Sequence, residues 1–320
     1  MNNDNNNNIL HQIPSEARIK KELKRNLFGK RLFCPHCGSG QIKKYEKRYH
    51  CKTCRKHFSL TSASWLKGAK LPLQTIWLLL WAWITKIPVD QASKLAGVSE
   101  VTSRRWYDKF RNNLPKDKLD NIRLEGVVQM DEAYRGSKNS KYSLVGAKQK
   151  AQKGEKRRIA IKVLHKSSVD RRDAIEFISQ YVVPNSIFNT DGAGIYKGIE
   201  NWWKLDHHCE YHNRWEFTLT SEIEGLWGNL TTFIRRMYHH VTESTIESIV
   251  EEFLSRSMYP EWFYTPSTFL EISLIKVKKL KRPEWRGQYQ AKKKRKKNFF
   301  LSIPDFQFKI PEESLTFVPY

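Results

Sequence analysis

The chain has 320 residues, enough for two or three domains, and 57 Lys and Arg against 33 Asp and Glu give it a formal net charge of +24. This imbalance argues against an ordinary enzyme of neutral small molecules. The longest apolar run, Ile76–Ile84, is far shorter than a membrane span, Met1–Asn8 does not look like a signal peptide, and the five cysteines are too few for a secreted disulfide framework.

The N-terminal region is predicted to begin with a disordered segment followed by a basic helix. Residues 1–14 are polar and of low complexity, so we expect disorder there. Residues 15–29 have the pattern of a short basic helix that ends at Gly29. Residues 18–57 hold 14 Lys and Arg against two acids. This excess predicts a polyanionic partner, with a solvated charge run as the alternative.

Two CxxC pairs follow, separated by 13 residues: Cys34 with Cys37, and Cys51 with Cys54. Each pair sets two thiolates on one face of a tight turn, a spacing typical of tetrahedral zinc sites. Redox-active pairs are the alternative, which two pairs in tandem disfavour. We therefore predict a zinc ribbon within residues 15–62 that holds a structural Zn²⁺. A hairpin between the pairs would carry the candidate DNA contacts Lys43, Lys44 and Arg48.

Residues 63–114 are predicted to form a helical domain. Asp90–Ala96 has the pattern of a short helix, Gly97 can adopt the left-handed turn conformation, and Ser99 can cap a second helix. This arrangement resembles a helix-turn-helix whose second helix enters the major groove. A helical hairpin that does not touch DNA is the alternative. The candidate DNA contacts on the second helix are Arg104 and Arg105.

Strands alternate with helices over residues 122–258, which predicts a mixed α/β domain. Val127–Met130 and Ile187–Thr190 read as strands that end at Asp131 and Asp191. Glu224 follows on a predicted helix. Each acid alone is more often an ordinary surface carboxylate, but together they can converge on two divalent cations. Oxygen ligands suit Mg²⁺, and paired metals can clamp a phosphodiester.

Residues 259–320 are predicted to form a basic C-terminal tail. Within it, residues 276–297 hold 12 Lys and Arg against one acid. A phosphate-binding tail explains this run, and a nuclear-targeting signal is the alternative. The candidate DNA contacts in the tail are Lys292, Lys293, Lys294 and Arg295.

Several segments together carry a resemblance to a known family. They are MDEAYRG at 130–136, TDGAGIY at 190–196, IEGLW at 223–227 and YHHV at 238–241. In this order they resemble the bacterial insertion-sequence transposases related to eukaryotic Merlin elements. The resemblance implies a zinc ribbon, a helix-turn-helix and an RNase-H-like catalytic domain. It also implies that Asp131, Asp191 and Glu224 are the DDE ligands of two Mg²⁺ or Mn²⁺ ions, and it places Thr231 where the family usually has lysine.

The resemblance implies a DNA transposase that binds terminal inverted repeats, hydrolyses a phosphodiester at the element end and transfers the strand. Its expected partners are double-stranded DNA, at the element ends and the target, and further copies of itself in a homodimer or larger synaptic complex. The expected location is the cytoplasm, on the nucleoid, or the nucleus of a eukaryotic host. Two other functions stay open: a DNA-binding regulator with a decayed catalytic domain, and a structure-selective nuclease that does not join strands.

The helix predicted to start near Glu222 can be assigned a phase. At about 100° of rotation per residue, Glu224, Thr231 and Arg235 share one flank, and Glu222 lies on the other. We therefore predict Glu224 as the metal ligand and Arg235 as a DNA contact in place of the family's lysine. The group His207, His208, Cys209 and His212 remains open between metal binding and a structural role. The pair His239 and His240 remains open between a DNA contact and a packing role.

Overall fold

The computed structural model describes residues 13–46, 48–134, 142–152, 154–210, 219–239 and 241–277. Most of the segment predicted to be disordered, and the tail residues Lys292, Lys293, Lys294 and Arg295, lie outside these ranges. Within them, no helix is both long and apolar enough to cross a membrane.

The chain begins with the predicted basic helix and a small antiparallel sheet. Helix α1 (Glu16–Phe28) is capped by Ser15 and ends at Gly29, whose φ of 71° suits glycine. The sheet has the order β1-β2-β3, formed by Ile42–Tyr45, Arg48–Cys51 and His57–Phe58. Its first two strands are the hairpin expected between the two cysteine pairs.

Three helices follow: α2 (Leu73–Ile84), α3 (Val89–Ala96) and α4 (Glu100–Arg111). Helix α2 is apolar nearly all round and is buried. Between α3 and α4, Gly97 adopts the left-handed conformation with φ 62° and ψ 36°. Ser99 then caps α4, since its side chain accepts a hydrogen bond from the Thr102 amide at 3.3 Å. The predicted local geometry is thus present, while contact of α4 with DNA stays a prediction.

After a short helix, α5 (Asp117–Asp120), the chain forms a mixed five-stranded sheet with the order β6-β5-β4-β7-β8. Strands β4, β5 and β6 are antiparallel neighbours, and β4, β7 and β8 are parallel. The strands are Val127–Tyr134, Ser143–Gln149, Ile159–Leu164, Ile187–Asp191 and Asp206–Glu210. Helices α6 (Arg171–Tyr181), α7 (Ser221–Met237) and α8 (Glu243–Met258) complete the domain, with α7 across β4 and β5 and α8 against β6.

Strand β4 runs further than the sequence predicted. Asp131 does not close the strand, because pairing with β5 continues to Tyr134 opposite Ser143. Pairing with β7, however, stops at Gln129 opposite Asn189. Asp131 therefore lies just beyond the last residue of β4 that pairs with β7.

Part of the predicted C-terminal tail is folded. A 3₁₀ turn (Pro260–Phe263) leads into helix α9 (Pro266–Ser273), whose Phe269 packs at 5.1 Å between ring centroids against Trp83 of α2. The Val277 amide then donates to the Leu27 carbonyl of α1 at 2.8 Å. Apolar residues at 262, 263, 269 and 270 cover the helical region, so the tail begins after this segment and not at 259.

Buried charges join the helical region to the α/β domain. Glu252 of α8 is fully buried and accepts from Arg256 Nε at 2.8 Å and from the Tyr238 hydroxyl at 2.5 Å. Arg256 also donates to the Trp83 and Ile84 carbonyls at the end of α2, at 2.6 and 3.0 Å. Arg111 of α4 stacks on Tyr238, 4.7 Å from the ring centroid. The carbonyls at the end of α2 thus accept from α8, which holds the two regions in one orientation.

Candidate active site and metal centres

The four cysteines of the two CxxC pairs come together beside the small sheet. Cys34 and Cys54 Sγ atoms lie 3.6 Å apart, as do those of Cys37 and Cys51. Thiolates at about 2.3 Å from a zinc ion in a tetrahedron are about 3.8 Å apart, so the spacing suits one ion. Amides of residues 38 and 55 hydrogen-bond to the Cys34 and Cys51 carbonyls, which closes the turn that each pair requires.

The protonation of these thiols reflects their crowding. Burial raises the pKa of Cys34 and of Cys37. Burial acts in the same direction on Cys51, but the amides of Thr53 and Cys54 and the neighbouring thiols outweigh it and lower the pKa of Cys51 to about 7. A thiol that ionises near neutral pH among three others is suited to bind a cation as thiolate.

The second cluster lies where β4 and β7 part. Carboxylate oxygens of Asp131, Glu132 and Asp191 lie within 4.8 Å of one another. Parallel β4 and β7 bring the two aspartates together, as the sequence predicted. Glu132 was missed: strand alternation assigns it to the opposite face, although it belongs to the MDEAYRG segment. Closely spaced carboxylates are the donor set that Mg²⁺ or Mn²⁺ prefers, so these residues fit a divalent ion.

Each carboxylate of this cluster is held by a different partner. The Trp227 indole N–H of α7 donates to Asp131 Oδ2 at 3.0 Å. The Tyr196 hydroxyl donates to Glu132 Oε2 at 2.5 Å, and the Ala193 amide donates to Asp191 Oδ1 at 3.1 Å. Tyr196 and Ala193 belong to the TDGAGIY segment, so the turn after Asp191 orients two of the three acids.

Burial raises the pKa of Asp131 to about 6, and the negative charges of Glu132 and Asp191 add to the effect. Burial also raises the pKa of Glu132, although the Tyr196 hydrogen bond opposes this. The pKa of Tyr196 is raised well above its ordinary value, by burial first and then by these carboxylates, so Tyr196 stays a donor. The cluster thus concentrates negative charge that a divalent cation would neutralise.

Glycine at position 146 lets Trp227 reach Asp131. Gly146 of β5 lies directly opposite Asp131, and a Cβ at this position would be 2.6 Å from Trp227 Cη2. One edge of the indole ring therefore lies against strand β5, while its N–H donates to the carboxylate. Any side chain at 146 would have to move the ring.

Helix α7 is fixed to the sheet by its first turn. The buried Gln129 side chain, two residues before Asp131, accepts from the amides of Glu222 and Ile223 at 3.0 and 3.1 Å. Gln129 thus provides an acceptor for amides of the first helical turn, of which the Ile223 amide also donates to the Thr220 carbonyl at 3.1 Å. The predicted apolar stripe is confirmed, since the following residues are buried: Ile223, Leu226, Trp227, Leu230 and Ile234.

Glu224 is exposed on the first turn of α7 and is not part of the 4.8 Å cluster of Asp131, Glu132 and Asp191. The Thr220 hydroxyl donates to Glu224 Oε1 at 3.3 Å and lies 3.3 Å from Glu210 Oε2. Glu210 of β8 is directly paired with Asp191 of β7. Thr220 thus connects Glu224 with the strand beside Asp191, on the face of the sheet that α7 covers.

The two other residues on the predicted flank of Glu224, Thr231 and Arg235, have different surroundings. Arg235 is exposed. The Thr231 hydroxyl donates to the Trp227 carbonyl of its own helix at 2.6 Å. Thr231 therefore bonds to its own backbone and, being uncharged, cannot supply the positive charge of the family's lysine. On the other flank, Glu222 pairs with Lys148 Nζ of β5 at 2.8 Å.

The predicted DNA contacts within the described residues are surface residues. Lys43, Lys44 and Arg48 are exposed on the hairpin, and Arg104 and Arg105 are exposed on α4. Arg104 pairs with Glu100 at 2.5 Å, a solvent-exposed ion pair of low stability.

Three residues of the group His207, His208, Cys209 and His212 lie on a strand. Residues 206–210 form β8, in which His207 Nε2 lies 2.8 Å from the Thr190 hydroxyl and 3.4 Å from Cys209 Sγ. Burial lowers the pKa of His207. No metal cluster involves these residues within the described part of the chain. His212 and His240 lie outside it, and His239 has a positive φ of 57° just after α7.

The sequence and the structure were compared with known proteins, and part of the chain matches a family. Residues 123–257 match the ISXO2-like transposase domain family. A search of curated proteins gave no match. Among solved structures, the chain is similar to one in the cryo-EM structure of a simian T-cell lymphotropic virus intasome in complex with PP2A regulatory subunit B56 gamma. The identity is 13%, the match covers 56% of this chain and 67% of that one, and the TM-score is 0.31. The family match over residues 123–257 supports an insertion-sequence DDE transposase.

Proposed function

We propose that this protein is a DNA transposase that cuts a phosphodiester at the end of its element and joins the released 3′ hydroxyl to target DNA. The observation that carries the proposal is the meeting of Asp131 and Asp191 where the pairing of β4 with β7 stops, inside the matched domain. A mixed sheet with helices on it is also what an RNase-H-like catalytic domain would have. The family relation to insertion sequences is the basis for transposition, and the finer Merlin relation is part of this proposal.

In this proposal Asp131 and Asp191 hold the catalytic metal, and Glu224 completes the DDE set. Two divalent ions, when bound, would stabilise charge on the attacking and leaving oxygens of the phosphodiester. Glu224, on the first turn of α7, would be the third carboxylate that holds them. Glu132 lies close enough to the aspartates to join them, while Trp227 and the Ala193 amide keep the aspartates in place.

The N-terminal regions would recognise the element ends. A Zn²⁺ held by Cys34, Cys37, Cys51 and Cys54 would fix the hairpin that carries the exposed cations at positions 43, 44 and 48. Helix α4 would enter the major groove with Arg104 and Arg105. Arg235 and the basic residues 292–295 would add phosphate contacts. Because two ends take part, the acting form would be a homodimer or a larger complex on DNA.

The test is incubation of the protein with a labelled DNA carrying the inverted repeats that flank its gene, an unlabelled target and Mg²⁺. Joined product supports the transposase. Cut DNA without joining would support a structure-selective nuclease, and bound, uncut DNA would support a regulator. The Asp191→Asn variant is the control, because it should bind the repeats and leave them uncut.

A further inference from the structure

A cleft of about 650 Å³ lies between the end of α2 and the outer part of α7, apart from the acidic cluster. Five cationic side chains contribute to its wall, and no acidic side chain of the described residues does. They are Lys86, Lys148, Arg157, Arg236 and Arg256.

Two of these cations form ion pairs with acidic residues of the protein. Lys148 pairs with Glu222, and Arg256 pairs with buried Glu252. Lys86, Arg157 and Arg236 form no ion pair with any residue in the described ranges. Three cations therefore line the cleft without an ion-pair partner among the described residues, which makes a polyanion the ligand of matching chemistry.

Lys86 has an unfavourable backbone for its type. It follows the last turn of α2 with φ 61°, in the left-handed region that favours glycine. Its amide donates to the Trp83 carbonyl at 3.1 Å, so the helix ends in a tight turn there. Burial, and then the charge of Arg256, lower the pKa of Lys86. A lysine thus occupies a position where glycine would relieve both the backbone strain and the charge repulsion, which indicates a role for its side chain.

The cleft is aligned with the candidate active site. Lys148 lies two residues after Gly146 on the face of β5 that α7 covers. Arg236 lies 12 residues after Glu224 on α7, about 18 Å along the helix axis. At about 3.4 Å per nucleotide, this length corresponds to about five nucleotides of one DNA strand. The other wall of the cleft, at Lys86, is the end of α2, which packs against α3 and α4.

We propose that this cleft binds the phosphodiester backbone of the DNA between the segment read by the N-terminal regions and the bond cut at the acidic cluster. The inference rests on the proposed function for the identity of the DNA. Because the network of Arg256 and Glu252 holds α2 and α8 together, the cleft sets a constant distance between recognition and cutting.

The experiment measures binding of the full-length protein to duplex DNA by fluorescence anisotropy over a series of salt concentrations, in EDTA. The variants are Lys86→Gly and Arg236→Gln. Each should weaken binding and reduce the slope of log affinity against log salt by about 0.9, one phosphate contact each. Lys204→Gln is the matched control, since Lys204 is exposed just before β8, at the opposite end of that strand from Glu210.

Lys86→Gly also controls for folding, because it should melt at or above the wild-type temperature while it binds DNA less well. Slopes for Lys86→Gly and Arg236→Gln that equal the slope for Lys204→Gln would overturn the proposal. The readout needs no cleavage. If the wild type never cuts or joins DNA and the two slopes still fall, DNA binding by the cleft is supported and the proposed function is wrong. If the wild type cuts DNA and the slopes do not change, the proposed function is supported and DNA binding by the cleft is wrong.

Discussion

The contact between Gly146 and Trp227 gives a sharp prediction for Gly146→Ala. The new Cβ would lie 2.6 and 2.8 Å from two atoms of the indole ring, about 1 Å closer than an ordinary carbon contact. Relief of this overlap requires a ring movement of about 1 Å. The indole N–H now donates to Asp131 at 3.0 Å, and a movement of that size takes it beyond hydrogen-bonding distance.

Two energies follow for this variant. Overpacking a buried contact costs about 1–3 kcal/mol, and replacing glycine in a strand returns about 0.5–1 kcal/mol, so we expect a net loss of about 1–2 kcal/mol in the free energy of unfolding. Without the Trp227 hydrogen bond the Asp131 carboxylate loses the partner that orients it, and a misplacement of about 1 Å can cost about 100-fold in rate. Metal-dependent cleavage should therefore fall much more than the stability alone would explain.

Denaturant unfolding and single-turnover cleavage of a labelled element end measure the two effects. The control is Gly228→Ala on the exposed side of α7, where a Cβ meets nothing within 4 Å; it should stabilise the helix by about 1 kcal/mol and leave cleavage unchanged. Adding Trp227→Phe to Gly146→Ala should recover stability without recovering cleavage, because the smaller ring fits but lacks the N–H. Wild-type cleavage by Gly146→Ala would refute the assigned role of Trp227.

Three further predictions test the metal centres and the helix phase. Cys51→Ser, or removal of zinc with a chelator, should abolish specific binding to the element end and leave the catalytic domain folded; undiminished binding would contradict this. Asp131→Asn should melt higher than the wild type at pH 8 in EDTA. The raised pKa means that ionisation of Asp131 lowers the free energy of unfolding by about 3 kcal/mol. This loss of stability is absent below about pH 4 and complete above about pH 6. Equal melting temperatures of the variant and the wild type at pH 8 would refute the reasoning. Glu224→Gln should abolish cleavage and preserve binding, whereas Glu222→Gln should change cleavage little; the reverse outcome would require a different ligand on α7.

Features determined by residues close together in the sequence were predicted well. The two CxxC pairs, the capped turn between α3 and α4, and the buried stripe of α7 all follow from local spacing. Asp131 and Asp191 were also brought together correctly, because each lies on a short apolar strand and such strands pair side by side. These predictions needed the pattern of the chain and no knowledge of its long-range contacts.

Other features depend on contacts between distant residues. Strand β8 was missed because Asp206–Glu210 is an edge strand with mostly polar side chains, and its pairing with β7 supplies what its sequence does not. Glu132 joins the acidic cluster because Tyr196, 64 residues later, holds its carboxylate. Helix α9 was read as tail, since the aromatic cluster that covers it, including Trp83, lies almost 200 residues earlier.

The central claim is that Asp131 and Asp191 hold the catalytic metal. Anomalous diffraction from crystals grown with Mn²⁺ tests it most directly, because the ion is located without reference to activity. We expect a peak between the two carboxylates, with Mn–O distances of about 2.2 Å, that is lost in crystals of Asp191→Asn. Mn²⁺ bound elsewhere on the chain, with both aspartates free of metal, would contradict it.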